Sequence, residues 1–239
     1  MRQGGNRLLD SLGAELIALR PHLTDVVLQA GQVLCEPGDE IRHVYFLHEG
    51  AVSKVTAFVD GGEVEAALVG REGAVGAMAM LGMPRAVTRD VCQVGGCASR
   101  IRVGRLREAF DASPRVRDVI DRYLLWKLSC AIRNGACNAR HSVQQRLSRW
   151  LLTCCDVLEG EEIALSQDVF AKMLGVQRTS VNPILQELKA AGAVKIGRSR
   201  VRVSDRDVLL VRACECYEAL RRDHQALFHE EPPRLAASA

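Results

Sequence analysis

No stretch of the sequence approaches the roughly 18 consecutive apolar residues that a membrane-spanning helix requires. The first residues, where Arg2, Arg7 and Asp10 surround Leu8 and Leu9, lack the apolar core of a signal peptide. The expectation is therefore a cytoplasmic chain with no membrane partner. Nor is there an excess of one charge: 32 basic and 29 acidic side chains leave +3, so a surface for a polyanion must come from local clustering of Arg and Lys. No nucleophile–base arrangement is legible, and no Gly-rich loop leads from strand to helix to cradle a phosphate. The carboxylate pairs Glu63/Glu65 and Glu161/Glu162 fall in expected turns or exposed edges. Catalysis is thus not expected.

What the sequence does contain is a change of hydrophobic period along its length. Leu9, Leu12, Leu16 and Leu19 recur at helical spacing until Pro21, which predicts a short lead-in helix. From Val26 to about Arg102 short β-branched runs (Val26 to Leu28, Val44 to Leu47, Ala51 to Val59, Val64 to Val69) alternate with Gly, Pro and Asp. Many short strands with frequent turns predict a compact all-β roll. From Ser113, with Pro114 at a first helical position, the period becomes helical again. Val116, Val119, Tyr123, Trp126, Cys130 and Cys137 form one near-heptad stripe, and Ile120, Leu124, Leu128 and Ala131 a second. A single small β domain cannot cover both stripes, which predicts a parallel homodimer along this helix, with the first stripe as its dimer residues. Gly135 and the neighbouring Asn residues weaken the helix, which places a hinge between Arg133 and His141.

The most specific pattern lies between Ser166 and Leu188. Counting from Gln167, Ala171 is fifth, Gly175 ninth, Val181 fifteenth and Ile184 eighteenth. This is helix-turn-helix spacing: a small residue where two helices cross, and a glycine where the turn needs a left-handed backbone. Ser166 is positioned to cap the first helix. The front of the second helix carries Gln177, Arg178, Thr179, Ser180 and Asn182, the residue types that read base edges in a major groove. A β-hairpin follows, Val194 to Val203, in which Lys195, Arg198, Arg200 and Arg202 are the expected phosphate contacts. Pro183, inside the second helix, predicts a kink or a shifted helix start.

In this order of parts the chain resembles the Crp/Fnr family of transcription regulators over nearly its whole length. Gly31-Gln32, Pro37-Gly38-Asp39, Val44 to Leu47 and Glu49-Gly50 look like the opening of the family's cyclic-nucleotide-binding-like roll. Leu174-Gly175-Val176, Arg178, Val181 and Leu185 look like its helix-turn-helix signature. The resemblance implies an α+β chain of two domains. A sensor roll of double-stranded β-helix (jelly-roll) type over 1–112 leads into a dimerisation helix over 113–137. A winged helix-turn-helix with an extra C-terminal helix occupies 138–229, and a flexible tail 230–239. It also implies a homodimer on a pseudo-palindromic site in double-stranded DNA, with RNA polymerase as a further partner.

The departures from the family bear on the signal. Members that bind cyclic AMP carry a Gly-Glu pair and a later Arg-Ser in a phosphate cassette; the matching stretch here is Gly76-Ala77-Met78-Ala79-Met80-Leu81, without the carboxylate. Cyclic AMP is therefore not expected. Gly76, Met78, Met80, Arg85, Thr88 and Arg89 are the candidate pocket for an effector of unknown identity, and no cofactor is assigned. No cysteine precedes Cys35, which argues against an Fnr-like iron–sulfur cluster. Cys92 and Cys97, Cys154-Cys155 and Cys214-Glu215-Cys216 are the close sets among nine cysteines. The last lies in an expected helical run unsuited to joint ligation, so no metal is predicted. The alternatives to a ligand-controlled regulator are a thiol-redox-switched one and a sensor module acting on a protein partner.

Overall fold

A computed structural model describes residues 5–165, 167–198 and 200–229, of which 167, 168 and 227–229 are described by backbone alone. The cap expected of Ser166, the Ser199 of the hairpin turn and the tail 230–239 lie outside the described residues. The single lead-in helix is instead two short ones, α1 (Arg7–Asp10) and α2 (Glu15–Leu19), with a 3₁₀ turn at Arg20–His22. Gly13 separates them, because its φ of 61° is outside the right-handed helical region.

Eight strands follow: β1 (Thr24–Leu28), β2 (Val33–Cys35), β3 (His43–Leu47), β4 (Ala51–Ala57), β5 (Glu63–Val69), β6 (Ala74–Val75), β7 (Arg89–Val94) and β8 (Gly96–Arg102). They make two four-stranded sheets, ordered β1-β8-β3-β6 and β2-β7-β4-β5, paired antiparallel throughout. The two-residue period of a strand sends neighbouring side chains into different cores. On β3, Val44 and Phe46 pack toward the flanking helices, whereas Tyr45 and Leu47 join the core that holds Leu28, Val52, Val69 and Cys92.

After α3 (Val103–Ala112), the Ser113 hydroxyl accepts from the Val116 N–H and Pro114 opens the long helix α4 (Pro114–Arg140). Val116, Val119, Ile120, Tyr123, Leu124 and Trp126 are buried against the roll and lead-in helices of the same chain. The Tyr123 hydroxyl, donating to the Ala74 carbonyl and accepting from its N–H at 3.0 Å each, pins α4 to β6. This corrects the assignment of dimer residues. Val116, Val119, Tyr123, Trp126 and Cys137 are at most 9% exposed, Cys130 is partly covered, and all belong to clusters of this chain. The stripe left in solvent is Leu125, Leu128 and Ile132, at 55%, 56% and 66% exposed.

The break in the long helix falls at the C-terminal end of the expected hinge, not at Gly135. α4 continues through Gly135 to Arg140 and breaks at His141, whose backbone is extended (φ −99°, ψ 149°). Ser142 and Gln145 then form a reciprocal capping box that starts α5 (Val143–Leu158). Asn134 and Asn138, helix-weakening residues by type, accept from Arg149 at 3.0 Å and Arg146 at 3.1 Å and hold the α4–α5 corner.

The rest of the chain is β9 (Glu162–Ile163), α6 (Gln167–Leu174), α7 (Arg178–Ala190), β10 (Val194–Gly197), β11 (Arg200–Val203), α8 (Arg206–Arg212) and α9 (Cys216–His229). Leu147, Leu151, Phe170, Val181, Leu185, Leu188, Val201 and Leu209 form its core. One C-terminal helix was expected where two form, because Ala213 is extended (φ −77°, ψ 158°). The second, α9, returns along α4, with the Trp126 and His224 rings edge to face at 4.8 Å.

Candidate nucleic-acid interface

The turn between α6 and α7 is built by Gly175, whose φ of 62° is cheap only for glycine. Within it the Val176 N–H returns to the Ala171 carbonyl at 3.0 Å. Ala171 is buried at the crossing, while Phe170, Val181 and Leu185 fix the two helices to a shared core. Trp150 of α5 meets Phe170 edge to face at 5.4 Å. With those positions turned inward, Gln177, Arg178, Thr179, Ser180 and Asn182 are all exposed at the front of α7. Gln177 is the N-cap residue, with extended backbone (φ −73°, ψ 148°). Pro183 lies inside an uninterrupted α7 and does not move its start, contrary to one of the two effects expected of it. The backbone bond that its missing N–H forgoes lies on an exposed face, where water can satisfy the carbonyl.

Beside α7 stands the hairpin, with Val194 opposite Val203 and Ile196 opposite Val201. β9 completes a three-stranded sheet. Alternation buries Val194, Val201 and Val203 and leaves Lys195, Arg200 and Arg202 exposed, with Arg198 exposed at the turn. Arg200 pairs with Glu162 at 3.3 Å and Arg202 with Glu161 at 3.5 Å. Such exposed pairs are worth little and exchange readily for a stronger anion.

The reading head rests on the roll, a relationship the sequence did not reveal. α6 packs on β5, where Lys172 meets Glu63 at 3.0 Å. The Glu65 carboxylate, partly buried between the two bodies, accepts from Ser53 at 2.5 Å and from the Trp150 indole at 2.8 Å. Its burial pushes its pKa above the ordinary carboxylate range despite these two donors.

The expected effector residues are not brought together. The roll holds a cavity of about 370 Å³ lined by Leu34, Cys35, Asp39, Glu40, Ile41, Arg42, His43, Tyr45, Val75, Gly76 and Asp90. Of the six candidates only Gly76 lies on it. Met80 is in the core at 1% exposed and Met78 packs beside it. Arg85 donates to the Gly38 carbonyl, Thr88 to Asp90, and Arg89 pairs with Glu36 and Glu63. Asp90 is itself held by Lys54 at 2.7 Å. A second hollow, about 670 Å³, lies between roll and reading head and includes Glu65, Lys127, Arg149 and Trp150.

Burial pushes the thiols of Cys130 and Cys155 up to about 11 and raises Cys35, Cys92 and Cys154, which favours their neutral form. The expectation of no metal-ligand grouping requires correction. Because the chain leaves the helix at Ala213, Cys214 and Cys216 are not locked in one helical run, and both face Cys137 and His141. The four ligand atoms lie within 4.8 Å of one another.

Residues 25–111 match the cyclic nucleotide-binding domain family and residues 145–212 the Crp-like helix-turn-helix domain family. No curated protein sequence matches the chain. Among solved structures, FixK2 from Bradyrhizobium japonicum superposes with a TM-score of 0.71 at 16% identity, over 80% of this chain and 98% of that one. The c-di-GMP-responsive global regulator CLP from Xanthomonas campestris gives 0.66 at 20% identity, over 80% and 98%. TTHB099, a CRP-family regulator from Thermus thermophilus, gives 0.66 at 19% identity, over 79% and 96%. These likenesses establish the two-domain fold.

Proposed function

This chain belongs to the Crp/Fnr family of bacterial transcription regulators, and from that membership we propose that it binds a pseudo-palindromic promoter site as a homodimer. The observation that carries the proposal is the front of α7, where five polar side chains stand exposed on a rigid apolar base beside a basic hairpin. Arg178 matches the O6/N7 edge of guanine, Gln177 and Asn182 match adenine, and Thr179 and Ser180 serve either. Lys195, Arg198, Arg200 and Arg202 meet phosphates and set the register without reading sequence.

Dimerisation uses the exposed seam of α4. Leu125, Leu128, Ile132, Gly135 and Ala139 follow alternating steps of three and four, all exposed, which is the seam of a parallel coiled coil. On this reading Gly135 is a point of close helix approach rather than a hinge. Two recognition helices held this way enter major grooves about one helical turn, roughly 34 Å, apart. RNA polymerase is then the partner met at the promoter.

The signal enters at the roll. Asp39, Glu40 and Asp90 line its cavity, with Arg42 and the Lys54 that pairs with Asp90 as the cations beside them, a small acidic excess that supports an effector other than cyclic AMP. An effector acts only through tighter binding to one arrangement of roll and reading head. Selection of bound duplexes from a random pool tests the whole proposal: an inverted repeat with half-sites about one turn apart is expected. Folded protein that ignores every duplex at low ionic strength overturns it.

A further inference from the structure

At the corner where α4 ends, α5 begins and α8 meets α9, three cysteines and one histidine converge. Cys137, Cys214 and Cys216 are 1%, 3% and 5% exposed and form a cluster of their own. The Cys137 and Cys214 sulfurs are 3.5 Å apart, and the Cys216 sulfur is 3.8 Å from Nδ1 of His141. We propose that Cys137, His141, Cys214 and Cys216 form a tetrahedral zinc site that fastens the C-terminal helix to the hinge of the long helix.

Four features support this. The donor set is Cys₃His, a common closed structural zinc set. Zn–S near 2.3 Å and Zn–N near 2.0 Å imply donor–donor edges of roughly 3.5–3.8 Å in a tetrahedron. Both measured contacts already lie in that range, and the widest separation, 4.8 Å, needs about 1 Å of closure. Spacing also fits: Cys137 and His141 lie one turn apart at the end of α4, and Cys214 and Cys216 flank the unwound α8–α9 junction. Finally, the other ring nitrogen of His141, Nε2, bonds Glu215 Oε1 at 3.1 Å. A carboxylate on the far nitrogen fixes the tautomer that turns Nδ1 toward the sulfurs, the arrangement found behind metal-bound histidines. A mixed thiolate and imidazole tetrahedron selects zinc over the harder cations, and one imidazole among three thiolates departs from the usual all-cysteine iron–sulfur set.

The site would join residues 77 positions apart, clamping α9 along α4 at the point where the DNA-binding unit turns off the long helix. It is independent of the DNA-reading assignment, so either can fail without the other.

The test uses the full chain, reduced and purified without chelator. One zinc per chain is expected by elemental analysis. Cobalt(II) replacing it should show thiolate-to-cobalt charge transfer and the intense visible bands of a tetrahedral site, saturating at one equivalent. Cys137→Ser and Cys214→Ser should abolish stoichiometric uptake, and Cys154→Ser should leave it intact. His141→Cys should keep a tetrahedral site with shifted cobalt bands, an outcome that packing alone does not predict. Glu215→Ala should weaken zinc about 10-fold. If the cysteine variants misfold, the wild-type titration still decides. Sub-stoichiometric uptake without charge transfer overturns the proposal, as does iron with sulfide in place of zinc, or a Cys137–Cys214 disulfide as the native state.

Discussion

Trp150 donates its indole N–H to Glu65 across 2.8 Å, so the first helix of the DNA-binding unit is fastened to a strand of the sensor roll through a partly buried carboxylate. Trp150→Phe keeps the edge-to-face contact with Phe170 but leaves Glu65 short of a donor. A loss of about 1–2 kcal/mol in stability is expected, the worth of one hydrogen bond to a partly buried carboxylate that keeps its Ser53 donor. The pH dependence has a definite sign. Burial raises the Glu65 pKa, so the folded chain keeps a proton that the unfolded chain has released. Stability therefore falls as pH rises above the ordinary carboxylate range and levels off once the folded pKa is passed. Glu65→Gln should flatten that part of the profile in urea titrations; an unchanged slope would mean that Glu65 is not its source.

Gly175→Ala tests how tightly the reading head is seated. The position has a φ of 62°, and an added Cβ would meet Val64 Cγ2 of the roll at 2.9 Å. Left-handed backbone costs a residue with a Cβ roughly 1–2 kcal/mol, and the contact with Val64 adds to it. The variant should melt lower and expose Trp150 to quencher; retention of wild-type melting and fluorescence would show that α6 does not rest on β5 in solution.

The strands, the long helix and the helix-turn-helix were legible because each depends on local period: two in β3, near 3.6 in α4, and fixed offsets from Gln167 to Ile184. Which line of α4 stays in solvent was not legible. Members of both apolar stripes, Tyr123 and Ile120 among them, turn inward, and the choice is made by partners distant in sequence, such as Ala74, whose backbone holds the Tyr123 hydroxyl. The same reason hid the contact of Glu65 with Trp150, 85 positions apart. The cysteine cluster was missed because one extended residue, Ala213, ends α8 before Cys214, and no periodicity signals that break. Of the effector site, the cassette sequence revealed what is missing but not that its methionines turn into the core.

Leu128→Glu and Trp126→Glu separate the two faces of α4. Leu128 is 56% exposed and Trp126 9%, so only the second substitution buries a charge within the chain. Leu128→Glu should give a folded monomer in sedimentation, with weak binding to a two-half-site duplex because the second recognition helix is lost. Trp126→Glu should instead unfold the protein at lower temperature. A Leu128→Glu variant that stays dimeric would remove the exposed seam as the interface.

Arg178 and Lys195 are both exposed cations of the DNA-binding unit, yet they should fail differently when removed. A side chain forked onto a base edge carries discrimination, and its loss costs about 1–3 kcal/mol at one base pair while leaving other positions unaffected. Arg178→Ala should therefore weaken the selected site and relax preference at one position in each half. A phosphate contact carries no sequence information but releases counterions. Lys195→Ala should weaken all duplexes alike and lower the slope of log affinity against log salt by about 1 per half-site. Titrations at several salt concentrations on selected and scrambled duplexes measure both quantities. If Arg178→Ala behaved as Lys195→Ala is expected to, the front of α7 would lie against the backbone rather than in the groove, and the base-reading assignment would be withdrawn.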